Sequence, residues 1–447
     1  MPCCANTSSG ALTSLAAVGA QNAYTCIAPE QTFFRQLYRR HTNFAIAEQC
    51  VTFQGSIGFD RCLCTIVPRN GDLIWHMYMV FDLTALHLPL TEVGNLAVPA
   101  TDPATDYVYW ANAIGQLLIQ ELTFTIGGAQ FDRLTNFYLD IWEEASLVTG
   151  KAQTEAIGKF DNVEDQRDFA FRDQTLYVFI PLWFSRHVET SLPLIALQYH
   201  DVRVCVQTAP RDHCIIAYTA QDVVIPLSQV EGGEMTDAHL LFSYVYLDTA
   251  ERRIMAQQPH EFLISQLQIQ CAESVVAGTT RKTIPVQFNN LMQENFITYQ
   301  ELFIRNPPIN QWMQFGIDAE VPFPWQVGGP LPKVDPIDQI ELQLNGHVIY
   351  SHDGKYSRII DYYNYHSHIP TQFIYSGMVS AIHPEDDVAP SGSTNLSRID
   401  NVVYCIEFAK NADGGSALEN DGEVTIYCRN HNVMKIAGGM GALRFAN

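Results

Sequence analysis

The sequence predicts an all-β fold, a tandem of two eight-stranded antiparallel sandwiches with a few short helices, and three observations carry that prediction. Aromatic and β-branched runs alternate with Gly, Pro, Asn and Asp turns along most of the 447 residues. The connections between runs are too short for helical crossovers, so neighbouring strands must run antiparallel. The third observation is an internal repeat. A shift of 218 residues lays Phe44 on Phe262 and Ile46 on Ile264, and the same shift lays Phe124 on Leu342, Ile126 on Leu344, Gly128 on Gly346, Tyr138 on Tyr356 and Ile141 on Ile359. Two units of about 220 residues are each large enough to bury a core of their own. The predicted organisation is an N-terminal arm (1–30), a first sandwich (31–230), a polar linker in SQVEGGEMTDA (231–237) and a second sandwich (238–447).

The opening segment, MPCCANTSSGALTSLAAVGAQ, lacks the basic start of a signal peptide and is read as a mobile arm. Pro2 after Met1 excludes N-myristoylation. In TFFRQLYRRHTNFAIAEQCVTF, Phe33, Phe34, Leu37 and Tyr38 recur at helical steps with Arg35, Arg39 and Arg40 opposite; the period then becomes two through Phe44, Ile46, Val51 and Phe53. This predicts a helix over 31–40 handing over to a strand, repeated by a helix over 250–257. RCLCTIV, the turn around Asn70-Gly71 and LIWHMYMVFDL read as a hairpin, and 91–112 reads as a long loop. ELTFTI turns at Gly127-Gly128 towards a helix at 133–145 carrying Leu134, Phe137, Ile141 and Trp142.

Composition narrows the function. The 26 basic and 48 acidic residues give −22, which argues against direct binding to a nucleic-acid backbone. Residues 1–70 carry five arginines against three carboxylates, +2, which leaves −24 on the remainder. No run of 18 apolar residues suits a membrane span. The 11 cysteines are scattered without a CxxC pair, so they read as mostly reduced thiols, with no disulfide framework and no zinc ribbon.

Chemistry-bearing constellations are few. His366-Ser367-His368 has the His-x-His spacing of a metal-binding cupin strand, but Ile369, Pro370, Thr371 and Gln372 follow where a Glu ligand is needed, so no metal or cofactor is expected. Glu143-Glu144 are adjacent on a helix, point about 100° apart, cannot flank one bond and read as solvated. His41 and His187 have no visible partners, and neither a GxSxG elbow nor a P-loop occurs, so no catalytic residues are predicted. Asn6-Thr7-Ser8 and Asn395-Leu396-Ser397 fit the glycosylation pattern, and Asn395 lies in EDDVAPSGSTNLSRID, whose Pro, Ser, Gly and Asp predict an exposed loop.

Seven segments together carry a family resemblance: GAQNAYTCIAPEQTFFRQLYRRHTNFA, IGGAQFDRLTNFYLDIWEEASL, LPLIALQYHDVRV, HEFLISQLQ, LQLNGHVIYSHDGKYSRIIDYY, SGSTNLSRIDNVV and NHNVMKIAGGMGALRFAN. In this order the chain resembles the major capsid proteins of the nucleocytoplasmic large DNA viruses. The resemblance implies a double jelly roll, a homotrimer of pseudo-sixfold outline and a non-enzymatic role in tiling an icosahedral shell over an internal membrane. It also implies a place in the virion capsid after synthesis in the host cytoplasm, with neighbouring capsomers and minor capsid proteins as partners. The N-terminal segment would lie at the inner base, with Arg35, Arg39 and Arg40 making polar contacts and Phe33, Phe34 and Leu37 anchoring the helix. The rival readings are a tandem jelly-roll carbohydrate- or receptor-binding protein and a metal-binding bicupin.

Overall fold

The computed structural model describes the chain apart from residues 1–6, 21, 23–27, 37, 88–89, 94–95, 100–106, 147–153, 161–162, 219–224, 307–309, 319–332, 386–388, 411–414 and 446–447. Residues 1–43 form one unit and 44–447 another. The first unit holds a helix, α1 (Thr7–Ala16). It does not hold the helix predicted at 31–40: the described residues make a turn at 33–34, a bend at 35 and otherwise no regular structure, and Phe33 and Phe34 are exposed. The bulky aromatic and β-branched residues of this stretch lose side-chain freedom in a helix, and packing must offset that loss.

In the second unit the first half is built from β1 (Phe44–Thr52), β2 (Cys62–Ile66), β3 (Leu73–Leu83), β4 (Ile119–Ile126), β5 (Ala129–Thr135), β6 (Gln174–Phe179), β7 (Val202–Thr208) and β8 (Met235–Leu247). They make two antiparallel sheets, ordered β1-β8-β3-β6 and β2-β7-β4-β5. The second half supplies β9 (His260–Ile269), β10 (Arg281–Val286), β11 (Leu291–Glu301), β12 (Ile337–Leu344), β13 (His347–Asp353), β14 (Ile374–Val379), β15 (Val402–Phe408) and β16 (Gly422–Ala437). Its sheets run β9-β16-β11-β14 and β10-β15-β12-β13, the same order element for element.

The repeat seen in the sequence is therefore a repeat of structure. β3, β4 and β5 map on β11, β12 and β13 at a shift of 218, whereas β6 and β7 map on β14 and β15 at 200. The change falls in the β5–β6 connection. In the first half it carries α2 (Asn136–Ser146), a turn of helix at Thr154–Ile157 and α3 (Val163–Ala170). In the second it carries a π-helical turn, Tyr356–Ile360, and later α5 (Asp361–Tyr365), α4 (Thr249–Gln257) having preceded β9. Alternation explains the strands: β4 and β12 share one burial pattern, with Leu122, Phe124 and Ile126 turned inwards in the first and Ile340, Leu342 and Leu344 in the second. The β4–β5 hairpin turns at Gly127-Gly128 (φ 59° and 83°) and β12–β13 at Asn345-Gly346 (φ 50° and 81°), the paired positive φ of a type I′ turn.

Four expectations are corrected. The boundary at 231–237 is misplaced, because β8 begins at Met235 and bonds to both β1 and β3; the crossing between halves falls after Leu247. The segment around Asn70-Gly71 is no hairpin, since β2 and β3 lie in different sheets. Gly71 serves a close approach instead, for a Cβ there would meet the Tyr244 Cβ at 2.8 Å. The 91–112 loop contains a small hairpin, Leu90–Val93 with Leu96–Pro99, and a strand, Tyr107–Trp110, paired with Ile215–Tyr218. Finally, Cys64 and Cys205, directly opposite on β2 and β7, form a disulfide across 141 residues of sequence.

Candidate functional site at the seam between the sandwiches

The polar groups that sequence reading placed in solvent instead pin the two sandwiches together. Helix α2 is amphipathic, and its second face, carrying Asp140 and Glu144, is covered by the chain around Thr371. The Glu144 carboxylate accepts from the Thr371 amide at 2.7 Å and its hydroxyl at 2.9 Å, and Lys159 bonds both Glu144 and Asp140 at 2.6 Å. Gln372 donates to Asp140 at 2.7 Å, and the His368 ring lies 3.1 Å from the Glu144 carbonyl. Burial pushes the Asp140 carboxyl above its ordinary range. Burial pushes Glu144 the same way, but Lys159 and Thr371 outweigh it and hold that carboxyl below. The prediction that Glu143 and Glu144 are solvated is thus corrected. Glu143 bonds Gln116, and burial pushes its carboxyl up to about 7.

A second buried cluster lies on the β9-β16-β11-β14 sheet of the second sandwich. Glu294 on β11 meets Arg429 on β16 at 3.0 Å and the His366 ring at 3.0 Å, and Glu385 lies 3.4 Å from the other ring nitrogen. Burial alone would lower the affinity of His366 for its proton; Glu294 and Glu385 reverse this and push it up to about 9. His366 is therefore a cation in an ion network, and His368 bonds elsewhere, so the two histidines do not act as a pair. Among the described residues no group of three or more His, Cys, Asp or Glu is placed to hold a metal ion. A cavity of about 370 Å³ opens beside both clusters, walled by His76, Trp142, Glu143 and Arg186 of the first sandwich and Glu385 and Arg429 of the second.

Packing completes the seam. The Gln266 side chain on β9 donates to the Phe131 carbonyl, and the Leu267 amide donates to Asp132 at 3.3 Å. Trp183 faces Phe262 with ring centres 6.0 Å apart, Tyr138 faces Tyr427 at 6.2 Å, and Asn310 donates to the carbonyls of Asp212 and Ile215. None of these partners was visible in the sequence, because they lie far apart along the chain.

Arg35, Arg39 and Arg40 are exposed in the first unit. Asn395 is exposed beside β11 in a two-residue strand, Thr394–Asn395, and Asn6 lies outside the described residues.

Comparison with known proteins agrees with this architecture. Residues 32–248 match the family described as major capsid protein N-terminus, and residues 251–442 match large eukaryotic DNA virus major capsid protein. The major capsid proteins of Phaeocystis pouchetii virus and Pyramimonas orientalis virus are each 28% identical over 98% of this chain and all of theirs. That of Paramecium bursaria Chlorella virus 1 is 27% identical with the same coverage. Among solved structures, the PBCV-1 virus capsid superposes with a TM-score of 0.72 at 24% identity, covering 93% of this chain and all of that one. The Faustovirus major capsid protein gives 0.71 at 10% identity, covering 91% and 93%. The fold is a double jelly roll, and the chain belongs to the major capsid proteins of the nucleocytoplasmic large DNA viruses, structural proteins of the icosahedral virion.

Proposed function

We propose that the protein assembles into homotrimers of pseudo-hexagonal outline, and that these capsomers tile the shell by lateral contact. The observation that carries this reading is the presence in one chain of two sandwiches with the same strand order, so that three chains supply six similar towers, a shape that packs hexagonally. Static light scattering on the purified protein tests it. The expected mass is three times the 50.3 kDa chain; a monomer across the micromolar range contradicts it. Because each chain carries −22, the trimer must rest on apolar burial rather than charge attraction. It is expected to survive about 1 M salt, where charges are screened beyond roughly 3 Å.

In the same reading the N-terminal unit faces inwards. Arg35, Arg39 and Arg40 are exposed, and residues 1–70 are the net-positive part of a strongly acidic chain, which suits an acidic minor capsid protein or the anionic surface of an internal membrane. The exposed Phe33 and Phe34 supply apolar contact to that neighbour. Replacing the three arginines with Gln is expected to leave trimers intact and impair shell assembly; normal particles would overturn the inner-face role. Asn395, exposed in the single chain, is the proposed glycan acceptor, checked by the mass of its tryptic peptide from virions.

A further inference from the structure

We propose that Cys62 is a thiol–disulfide exchange site: its sulfur displaces Cys205 from Cys64 and so opens the link between β2 and β7 to small soluble thiols. The site lies wholly within the first sandwich and does not depend on how chains associate.

Strand alternation puts the three sulfurs on one face. Cys62 and Cys64 are two residues apart on β2, and Cys205 lies directly opposite Cys64 on β7. That face is the outer one. Leu63 and Thr65 on β2 and Val204 and Val206 on β7 are buried, whereas Cys62 is exposed and Cys64 and Cys205 are half-buried. A disulfide inside a sandwich core would be out of reach of a soluble thiol, and this one is within it. The Cys62 sulfur also stands 3.8 Å from the Cys64 sulfur, so the attacking group is already beside the bond that it breaks. Cys214 and Cys428, by contrast, are fully buried.

The exchange balances without any added reagent. The Cys62 thiolate attacks Sγ of Cys64, the Cys62–Cys64 bond forms, the Cys64–Cys205 bond breaks, and Cys205 leaves as a thiolate that takes up the proton Cys62 gave away. No electrons are gained or lost. The product joins side chains two residues apart on one extended strand, further apart than a relaxed bridge prefers, so it is strained and the exchange is reversible. The Cys64–Cys205 form is the resting one. Strain makes the exchanged form the more easily reduced of the two. A soluble thiol attacks it to give a mixed disulfide, and a second thiol molecule releases the first as its oxidised dimer, leaving Cys62, Cys64 and Cys205 as thiols. The substrate class is therefore a small thiol such as glutathione. What it opens is a link across 141 residues of sequence.

Peptide mapping of the full-length protein tests this, because trypsin cuts after Arg61, Arg69, Arg203 and Arg211 and isolates 62–69 from 204–211. Folded protein held without reductant at about pH 8.5, then blocked with N-ethylmaleimide and digested at about pH 6 to halt exchange, should yield the two peptides mostly linked. A minor share of 62–69 should be closed on itself, two hydrogens lighter, with maleimide on 204–211. Protein blocked before the incubation should give the linked pair alone. Cys62→Ser, at an exposed site whose fold is checked by circular dichroism and melting, should lose the closed peptide and slow reduction of Cys64–Cys205 by glutathione on the order of tenfold. Cys50→Ser removes another exposed thiol and should be reduced at the wild-type rate. Absence of the closed peptide, or equal reduction rates for wild type and Cys62→Ser, overturns the inference. Finding 62–69 and 204–211 unlinked before any reduction overturns it at its first step.

Discussion

The two sandwiches share strands and order, yet their equivalent central strands, β3 and β11, are chemically unlike. Where β3 carries Trp75, His76 and Met77, β11 carries Gln293, Glu294 and Asn295, all three buried. Each of these polar groups is met: Gln293 by His431 and Arg429, Glu294 by Arg429 and His366, and Asn295 by the Tyr404 hydroxyl at 2.5 Å. Duplication has kept what builds a sandwich and changed what each sandwich faces. An ion network on the central strands of one half, absent at the equivalent strand of the other, makes that half dependent on complete pairing, since a buried charge left alone is costly.

The comparison is broken most sharply by Arg429→Met, which leaves Glu294 with His366 alone. This should cost about 3–5 kcal/mol of stability in chemical denaturation, whereas His76→Asn, at the position equivalent to Glu294, should cost less than about 1. Equal costs would mean that the network does not distinguish the halves. The disulfide marks a second difference, because Cys64 and Cys205 correspond to Thr283 and Cys405, which face each other with the hydroxyl 3.7 Å from the thiol. Cys64→Ser is expected to lose roughly 2–4 kcal/mol, and Thr283→Cys should allow a matching cross-link in the second half, detected by peptide mapping without reductant.

Acidity supplies a third test. His366 keeps its proton up to about 9 against an ordinary 6.5, so its stabilisation is complete below pH 6.5 and is lost as pH rises through 9. Burial raises Asp132 to about 6 and Glu143 to about 7, and their ionisation costs stability in the same direction as pH climbs from about 4. Burial also opposes ionisation of Glu294, but Arg429 and His366 hold that carboxyl below its ordinary range, a contribution present above about pH 4.5 and lost below it. The melting temperature should therefore be higher at pH 6 than at pH 9, and His366→Asn should flatten that difference. The smallest effect is expected at α4, where the Asp248 side chain caps the Thr249 amide at 2.8 Å and Arg252 pairs with Asp72 at 2.9 Å. Asp248→Ala should cost about 1 kcal/mol, read as loss of helical signal. The equivalent stretch, 31–40, has no such helix to lose.

What the sequence revealed and what it hid follow from distance along the chain. The shift linking Phe44 to Phe262 and Phe124 to Leu342 was legible because β1–β5 and β9–β13 are joined without net insertion, so periodicity and turns stay in register. The boundary was misread because EGGEMTDA has the composition of a linker, although the strand that begins at Met235 buries Met235, Ala238, Leu240 and Phe242. Glu144 looked solvated because its partners are 15 and 227 residues away, and only the folded chain brings them to α2. The 31–40 helix failed for the complementary reason: local periodicity was right for a helix, but periodicity alone does not hold one, whereas α4 is held by the Asp248 cap and the Arg252–Asp72 ion pair.

Images of the purified particle in vitreous ice, averaged down its rotation axis, test the central claim most directly. The account predicts six lobes of two alternating kinds with threefold symmetry, two from each chain. Two or three lobes would contradict it.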